Sequence, residues 1–546
     1  MKNILKIGLL LAVCMTAGCS EFLETPHYGR PTGWQTQADV DLAIAALYDF
    51  VSDEACAGRG HMWLECCSDN TVPGRAQAEA EQIRNFLMTP NNGRDAKTIW
   101  GFMYQNVAKA NNIIKVVPTM QLGADYIRQT VGIGYFFRGL SMLWLAPWYG
   151  DNGPNGGIPI ILETTEPVDM DSPRPASVLE NYNQIISDMY TAGDMLPLFS
   201  QLPEDLYGYP HKAAAWAFGA RAALYAAQYD NNYYNTVIDF CDKIMELTGA
   251  DKRDLFDDNS AVPFAKLWRK ENNFSSEYIF SMLGTGTRNS GSKYHGMGFN
   301  QDGYSIINTW GYFQPTLELW NAFENGDTRR EATILRPGEH IQFVGRDVLF
   351  GGVTYDNISN RNRTWSVSST TGMTFRKFMS PYEAADCIGK DVNSDGNFMS
   401  NTLATCIMRY ADVLLMKAEA LIWTKGESDA EAKQLLNRIR KRARLPEDSN
   451  ATKEQLKNER RAELAGEFLP SRHIDVVRWG DAVRLYAQPT LGVTFTQGTV
   501  VDAPVTVSGT KEVNPPRSFD PRIHHVFPIP ADAFAGTVHL KQNSGY

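Results

Sequence analysis

Two amphipathic helices joined by a short turn recur along this chain, and they constrain its fold more than any other feature. The first pair spans 96–117 and 124–145. Ile99, Trp100, Met103, Val107, Ala110, Ile114 and Val117 form one stripe, closed by Pro118; Ile127, Val131, Tyr135, Phe136, Leu140 and Leu143 form the second. Spacings of three and four residues put each set on one helix face, and the short connection makes the pair antiparallel. The form returns at 212–229 with 233–247, dense in Ala beside Trp216, Gly219 and Tyr225, and again at 407–424 with 428–444, stopped by Pro446. A single pair of roughly 35 residues cannot bury its apolar faces alone, so such pairs stack.

These pairs resemble degenerate tetratricopeptide repeats. Other segments fill in around them. Thr36, with Asp39 three residues on, is placed to cap a helix carrying Val40, Ala43, Ile44, Leu47 and Val51. A polar loop is expected over 53–77, a second loop over 148–159 and a helix over 177–196. From 251 to 401 the helical period fades and Gly, Asn, Ser and aromatic residues dominate. Strand-like pieces appear at 278–283 and 341–350, with a helix at 314–325. The expected fold is mainly α: a scaffold over 36–250 and 402–546 within one domain, 36–546, and a loop-rich mixed α/β insertion over 251–401. Such loops are where ligand contacts concentrate.

The start of the chain has the layout of an export signal. Lys2 and Lys6 are followed by a short apolar run, Ile7 to Met15, then small Thr16-Ala17-Gly18, then Cys19. The run is too short to span a bilayer. A lipoprotein signal over 1–18 would leave Cys19 as the lipidated first residue and 19–35 as a tether, with acyl chains as the sole membrane link. An ordinary secreted protein with an incidental Cys19 is the competing reading. Among the 546 residues the formal net charge is -10, and no basic block exists. That argues against nucleic acid and anionic lipid as partners and is compatible with a neutral ligand. Cys56, Cys66, Cys67, Cys241, Cys387 and Cys406 remain after processing. They lack paired metal spacing and read as buried free thiols.

Candidate binding residues are read from ring and polar density. Rings offer flat contact area at low entropic cost, while amides, carboxylates and guanidinium groups supply directed hydrogen bonds. The densest such stretch, 294–313, holds Tyr294, Tyr304, Asn308, Trp310 and Tyr312, with Trp310 and Tyr304 the leading residues. Trp63 with Asp69, Asn70 and Arg75 is a second candidate, Trp63 being equally readable as a core ring. Arg361 to Trp365 reads as a solvated turn. Asp391, Asn393 and Asp395, followed by Gly396, resemble the first half of a calcium loop. The twelfth position is Thr402 rather than Glu, which favours an Asx-rich turn. Trp100, Trp144, Trp216 and Trp320 read as core, and Trp479 as structural. Glu459, Arg460, Glu463 and Glu467 read as ion pairs rather than acid–base groups. No nucleophile elbow, phosphate loop or HExxH occurs, although two carboxylates of a glycosidase can be close in space without being close in sequence.

Several blocks stand in a fixed order: Cys19 to Glu24; Gly134 to Leu140; Trp148-Tyr149-Gly150 and Gly157-Ile158-Pro159; Pro315 to Glu318 with Asp327 to Arg330; Arg409 to Ala420; Leu436 to Arg440; Glu459 to Leu464; Asp475 to Gly480; Phe527 to Pro530; and Gln542 to Tyr546. Together they resemble the SusD/RagB family of outer-membrane lipoproteins from Bacteroidetes, departing at Leu469-Pro470-Ser471 where a Gly is usual. The resemblance implies four tetratricopeptide-like helix pairs as a support under a variable loop-rich half. It implies a lipid-anchored, cell-surface, non-enzymatic protein that binds oligosaccharide and needs no cofactor. It also implies a SusC-type TonB-dependent barrel as partner, to which the sugar is delivered. A surface glycoside hydrolase and a purely structural lid on the barrel are the alternatives.

Overall fold

The computed structural model describes residues 33–74, 77–154, 156–165, 171, 173–268, 270–283, 312–336, 369–375, 377, 404–467, 471–496 and 506–546. Two compact units are distinguished, Met1–Leu42 and Ala43–Tyr546. In the first, a reciprocal cap forms as expected. Thr36 Oγ1 accepts from the Asp39 N–H (3.3 Å) and the Asp39 carboxylate accepts from the Thr36 N–H (2.8 Å). It opens α1 (Gln37–Ala46), which α2 (Asp49–Ser52) follows. The expected loop over 53–77 is corrected. It contains α3 (Arg59–Glu65) and β1 (Thr71–Pro73), and α4 (Ala78–Arg84) follows directly. Almost every side chain described on α3 and β1 is buried, so neither has the polar face that gives a period to read. Gly60 admits this packing because a Cβ there would lie 2.5 Å from the Ala55 carbonyl oxygen.

The first long pair is α5 (Arg94–Val116) and α6 (Ala124–Tyr149). The whole Ile99–Val117 stripe is buried. α6 runs beyond the expected end, through Pro147 to Tyr149. It is enclosed almost all round from Thr130 onward, which is why its far end lacks an amphipathic signal. Next come α7 (Val178–Met195), capped by Ser177, then α8 (Lys212–Ala226) and α9 (Tyr233–Met245). Gly219 lets α8 and α9 touch: a Cβ there would fall 2.5 Å from the Phe240 ring. Gly219→Ala is expected to cost about 1–3 kcal/mol through overpacking, seen as a lower urea midpoint with secondary structure retained. An unchanged midpoint would mean the contact is looser than described.

In the loop-rich region α10 (Pro263–Leu267) leads to β2 (Tyr278–Met282), close to the expected strand. The expected helix at 314–325 is shorter. β3 (Phe313–Pro315) precedes it, and Thr316 caps α11 (Leu317–Ala322) through the Leu319 N–H. α12 (Thr328–Thr333), β4 (Ile334–Leu335) and β5 (Thr374–Phe375) follow; β6 (Thr405–Arg409) then pairs antiparallel with β2. The helix expected from Ile407 therefore begins at Tyr410. The last pair is α13 (Tyr410–Lys425) and α14 (Ala430–Arg442), followed by α15 (Lys453–Leu464), α16 (Arg472–Arg478), α17 (Ala482–Tyr486) and the hairpin β7 (Thr490–Thr496) and β8 (Thr506–Asn514). Packing runs α5–α6–α7–α8–α9–α13, and α13 also meets α14 and α15. This serial stacking makes the fold mainly α, with helices in a tetratricopeptide-like array. No described helix is long and apolar enough to cross a membrane.

Charge as well as apolar surface fills the interior. Arg329, Lys377, Arg409 and Arg442 interlock with Glu277, Asp327, Glu459, Glu463 and Glu467, and Arg440 joins Glu459 to the more exposed Glu324 and Asp448. A second chain links Arg221, Asp412, Arg460, Asp475, Arg478 and Glu419. Ion pairing at Glu459, Arg460, Glu463 and Glu467 thus holds, with most partners on other elements. Trp100, Trp144 and Trp320 are buried. Trp216 is only half-buried and lies against Gly193, a departure from the core assignment. Trp479 is structural: its Nε1 donates to Glu419 (3.0 Å). Cys56, Cys66, Cys67, Cys241 and Cys406 are buried free thiols; burial pushes Cys67 up to about 12.

The C-terminal block acts as a strap. Asn543 Nδ2 donates to the carbonyls of Tyr149 (3.0 Å) and Phe527 (2.7 Å), and Tyr546 OH to that of Val526 (3.0 Å). Arg174 holds the 156–157 turn through the carbonyls of Gly156 (2.8 Å) and Gly157, and Lys541 O (3.0 Å) ties it to the same strap.

Candidate functional site

One short antiparallel pair gathers the ends of the loop-rich stretches. β1 and β3 align Thr71 with Pro315 and Pro73 with Phe313. Beyond them the Gly74 N–H donates to the Tyr312 carbonyl at 2.7 Å. A third segment joins through Gln314, which is fully buried. Its Oε1 accepts from Ser369 Oγ (3.0 Å) and from the Thr371 N–H (3.2 Å). Thr370 Oγ1 donates to the Gly74 carbonyl (3.4 Å), and the Val493 N–H donates to the Thr371 carbonyl (2.8 Å). Segments that start or end at 74, 312 and 369 thus share one base.

That base is held stiffly. Arg84 is fully buried. It donates to the carbonyls of Cys66 (2.9 Å) and Thr71 (2.8 Å) and to Thr490 Oγ1 (2.6 Å). Thr316 caps α11 and also bonds back to Asp69 O (2.7 Å) and Asn70 O (3.0 Å). Buried backbone acceptors satisfied by a guanidinium and a hydroxyl resist local opening. Neither Arg84 nor Gln314 was legible as a strap, since each works through partners brought together only by the fold.

The second candidate cluster is corrected by its burial. Trp63 is 1 % exposed, its Nε1 donates to Asp95 (2.9 Å), and its ring packs against Tyr312 and Phe313. Of the two readings of Trp63, the core ring is the one found, and no face is left for a sugar. Asp69 takes two guanidinium groups, Arg472 at 2.9 Å and Arg461 at 3.1 Å. Burial alone would raise its carboxyl, but those two charges hold it far below the usual range. Asn70 Oδ1 accepts from Arg461 at 2.7 Å. Tyr312 is likewise buried. These four build the base rather than a free ligand surface. Tyr294, Tyr304, Asn308, Trp310 and Arg75 lie outside the described residues, as do Arg361 to Trp365, Cys19, Asp391, Asn393 and Asp395.

Beside Asp69 stands a second carboxylate. Glu65 accepts from Ser471 Oγ (2.9 Å) and the Arg472 N–H (3.2 Å). Burial pushes it up to about 8, against the lowering effect of these bonds. It lines a polar cavity of about 10 Å³ with Asn70, Arg461 and Arg472, room for one water. Among the described residues no group of three or more His, Cys, Asp or Glu side chains is arranged to hold a metal ion. His525 contacts Asp151, from a distant segment, at 2.9 Å.

Residues 276–546 match the SusD family, and residues 21–224 match a SusD-like family described as "Starch-binding associating with outer membrane". A SusD-like protein of Bacteroides ovatus is 25% identical over 512 residues, covering 88% of this chain and 83% of that one. A crystal structure of a SusD-like protein from Bacteroides fragilis has the same fold, with a TM-score of 0.75 at 22% identity over 95% of this chain and 99% of that one. So has surface glycan-binding protein A from Bacteroides thetaiotaomicron, solved in complex with laminarihexaose, with a TM-score of 0.68 at 17% identity over 93% of this chain and 100% of that one. The two matched stretches together span most of the chain, and the helical array carries the motif residues in its interior. The chain belongs to the SusD family.

Proposed function

We propose that this protein binds oligosaccharide at the cell surface, without cleaving it, and passes it to a SusC-type TonB-dependent barrel in the outer membrane. The observation that carries the reading is family membership along most of the chain, joined to a relative of the same fold solved with laminarihexaose. The shared base at Gly74, Tyr312 and Ser369 supports it, because independent loops that start from one rigid base can converge on one ligand. Trp310 and Tyr304 are the proposed stacking rings; Tyr294, Asn308 and Arg75 are the proposed neighbours that orient the sugar and take its hydroxyls. Cys19 is the proposed lipid attachment, with 19–35 as the tether that keeps the protein at the membrane.

Calorimetry of the mature chain against a glycan panel is the test. A binding glycan should emerge, and Trp310→Ala should weaken it by about tenfold or more, as for a central aromatic anchor, with an unchanged melting temperature. Equal affinity in the variant would remove Trp310 from the site. Shorter products after incubation with the bound glycan would favour a hydrolase. A stable barrel complex with no heat from any glycan would favour a structural lid.

A further inference from the structure

α15 presents one face to a polar cavity of about 100 Å³: Gln455, Asn458, Glu459 and Ala462, spaced by three and four residues. The other walls come from the turn after α11 and from the end of α14 and the loop beyond it (Glu324, Arg440 and Asp448), with Arg329 of α12 and its partner Asp327. Small Ala322 and Ala462 stand where larger side chains would fill the space. One water needs about 10–15 Å³ on such a measure. The cavity therefore has room for a molecule of several heavy atoms, one sugar-sized ring at most.

Its walls do not satisfy one another. Arg440 donates to both oxygens of Glu324 (2.5 and 3.2 Å), and its Nε donates to the Pro446 carbonyl (2.9 Å). What the Arg440 fork leaves for the other two carboxylates is long: 3.3 Å to Asp448 Oδ2 and 3.5 Å to Glu459 Oε2. Glu459 is 4 % exposed. Its Oε1 is held by Arg329, which Asp327 and Glu463 also claim. Burial raises the Glu459 carboxyl, and Asp327 and Glu463 push the same way against Arg329. Four carboxylates and two guanidinium groups thus line the space. Among the described residues the Asn458 side-chain amide has no hydrogen-bond partner, and the Gln455 amide uses only its Oε1, which accepts from the Thr452 N–H (2.8 Å).

A buried carboxylate with a weak partner is costly, and a cation set against it offsets that cost. An anion would meet a surplus of like charge. A bare metal ion does not suit the walls either, since no group of three or more His, Cys, Asp or Glu side chains among the described residues is arranged to hold one. An ammonium does suit them: a compact charge with three donors, on a body whose hydroxyls can meet the two amides. We infer that this cavity binds a small hydroxylated amine, the size of one amino-sugar residue, with its ammonium against Asp448 and Glu459 and its hydroxyls on Gln455 and Asn458. The cavity shares no residue with the loop base, and the inference does not depend on the oligosaccharide reading above.

The test is calorimetry of the mature chain with glucosamine, glucose and glucuronate as probes, at mildly acidic pH so that the amine is charged. Glucosamine is expected to bind about tenfold or more tightly than glucose, the difference a charge-assisted hydrogen bond makes, and glucuronate more weakly than either. Asn458→Leu should weaken glucosamine by about tenfold at an unchanged melting temperature, because that amide bonds to nothing described in the fold. Asp448→Asn should bring glucosamine down to the level of glucose. The wild-type comparison needs no variant, so a misfolded mutant does not decide the matter. Equal binding of glucosamine and glucose, no saturable heat from glucosamine at millimolar concentration, or undiminished binding in both variants overturns the inference. So does competition between glucosamine and an oligosaccharide found by the glycan panel, which would put both at the loop site. The oligosaccharide reading survives each of these results, and its own failure would leave glucosamine binding untouched.

Discussion

Glu463→Gln is expected to destabilise the protein by about 3–5 kcal/mol, the range for breaking a buried ionic cluster by removing one partner. Glu463 is fully buried. Its carboxylate accepts from Arg329 (3.0 Å), Arg409 and Arg442. Burial alone would raise it, but those three guanidinium groups hold it well below the usual range. An isosteric amide leaves the three guanidinium groups around it with one buried counter-charge fewer. Its N–H donors would also point at other donors. By contrast Arg522–Asp520, in which Arg522 is 86% exposed, is a surface pair that water screens and that contributes little. Urea unfolding followed by tryptophan fluorescence should show the midpoint falling with the slope kept. Adding Arg442→Met should recover part of the loss, because the excess charge goes with it. A wild-type midpoint for Glu463→Gln would mean the cluster is hydrated and its charges independent.

The same residues explain what sequence reading reached. Arg409, Arg442, Glu459, Arg460 and Glu463 belong to, or adjoin, the ordered blocks that carried the family resemblance. A buried charge needs a specific partner at a specific place, which offers a physical reason for such distinctive blocks. Helical spacing marked Glu459, Arg460, Glu463 and Glu467 as ion pairs. Their partners Glu277 and Arg329 come from other segments and had no local signal. Long amphipathic helices were legible for the opposite reason: α5 keeps a solvated face, so its buried stripe has a period. α3 is too enclosed to show one. β1 and β3 are three residues each and exist because they pair, a tertiary fact. At the site, Trp63 illustrates the limit. A Trp in a polar stretch beside Asp69 and Asn70 has the composition of a sugar platform. Whether its face is free depends on Asp95, Tyr312 and Phe313, and on Arg461 and Arg472 claiming Asp69.

Stability is expected to peak near neutral pH and to fall on the acid side, by about 1.4 kcal/mol per pH unit for each net proton taken up on unfolding. His61, His211 and His473 are buried, and burial pushes each imidazole down to about 3, with Arg253 adding to the effect at His211 and Arg517 at His473. In the unfolded chain each binds a proton as pH drops through about 6.5. Between that pH and 3 the unfolded state holds the extra protons, so these three groups contribute stability that is lost as pH falls. Glu65 runs the other way, as do Glu79, Glu81, Asp188, Glu318 and Glu459, whose carboxyls burial also raises. Burial raises Glu65 to about 8, so the folded state keeps a proton that the unfolded carboxylate releases above about 4.3. Its contribution declines as pH rises from there to 8, which sets the alkaline side of the peak and removes one proton from the acid slope near pH 5. Below pH 4 Asp69, Asp412 and Glu463 steepen the loss. Buried guanidinium groups hold all three low against the raising effect of burial, so they stay ionised in the fold while their unfolded counterparts protonate. Urea midpoints at pH 8, 7, 6 and 5 measure the curve. His473→Phe should reduce the acid slope by one proton, because the ring that stacks on Trp148 is kept while the titration is lost. A flat profile from pH 7 to 5, or imidazole titrations near 6.5 by NMR in the native protein, would place these histidines in contact with water instead.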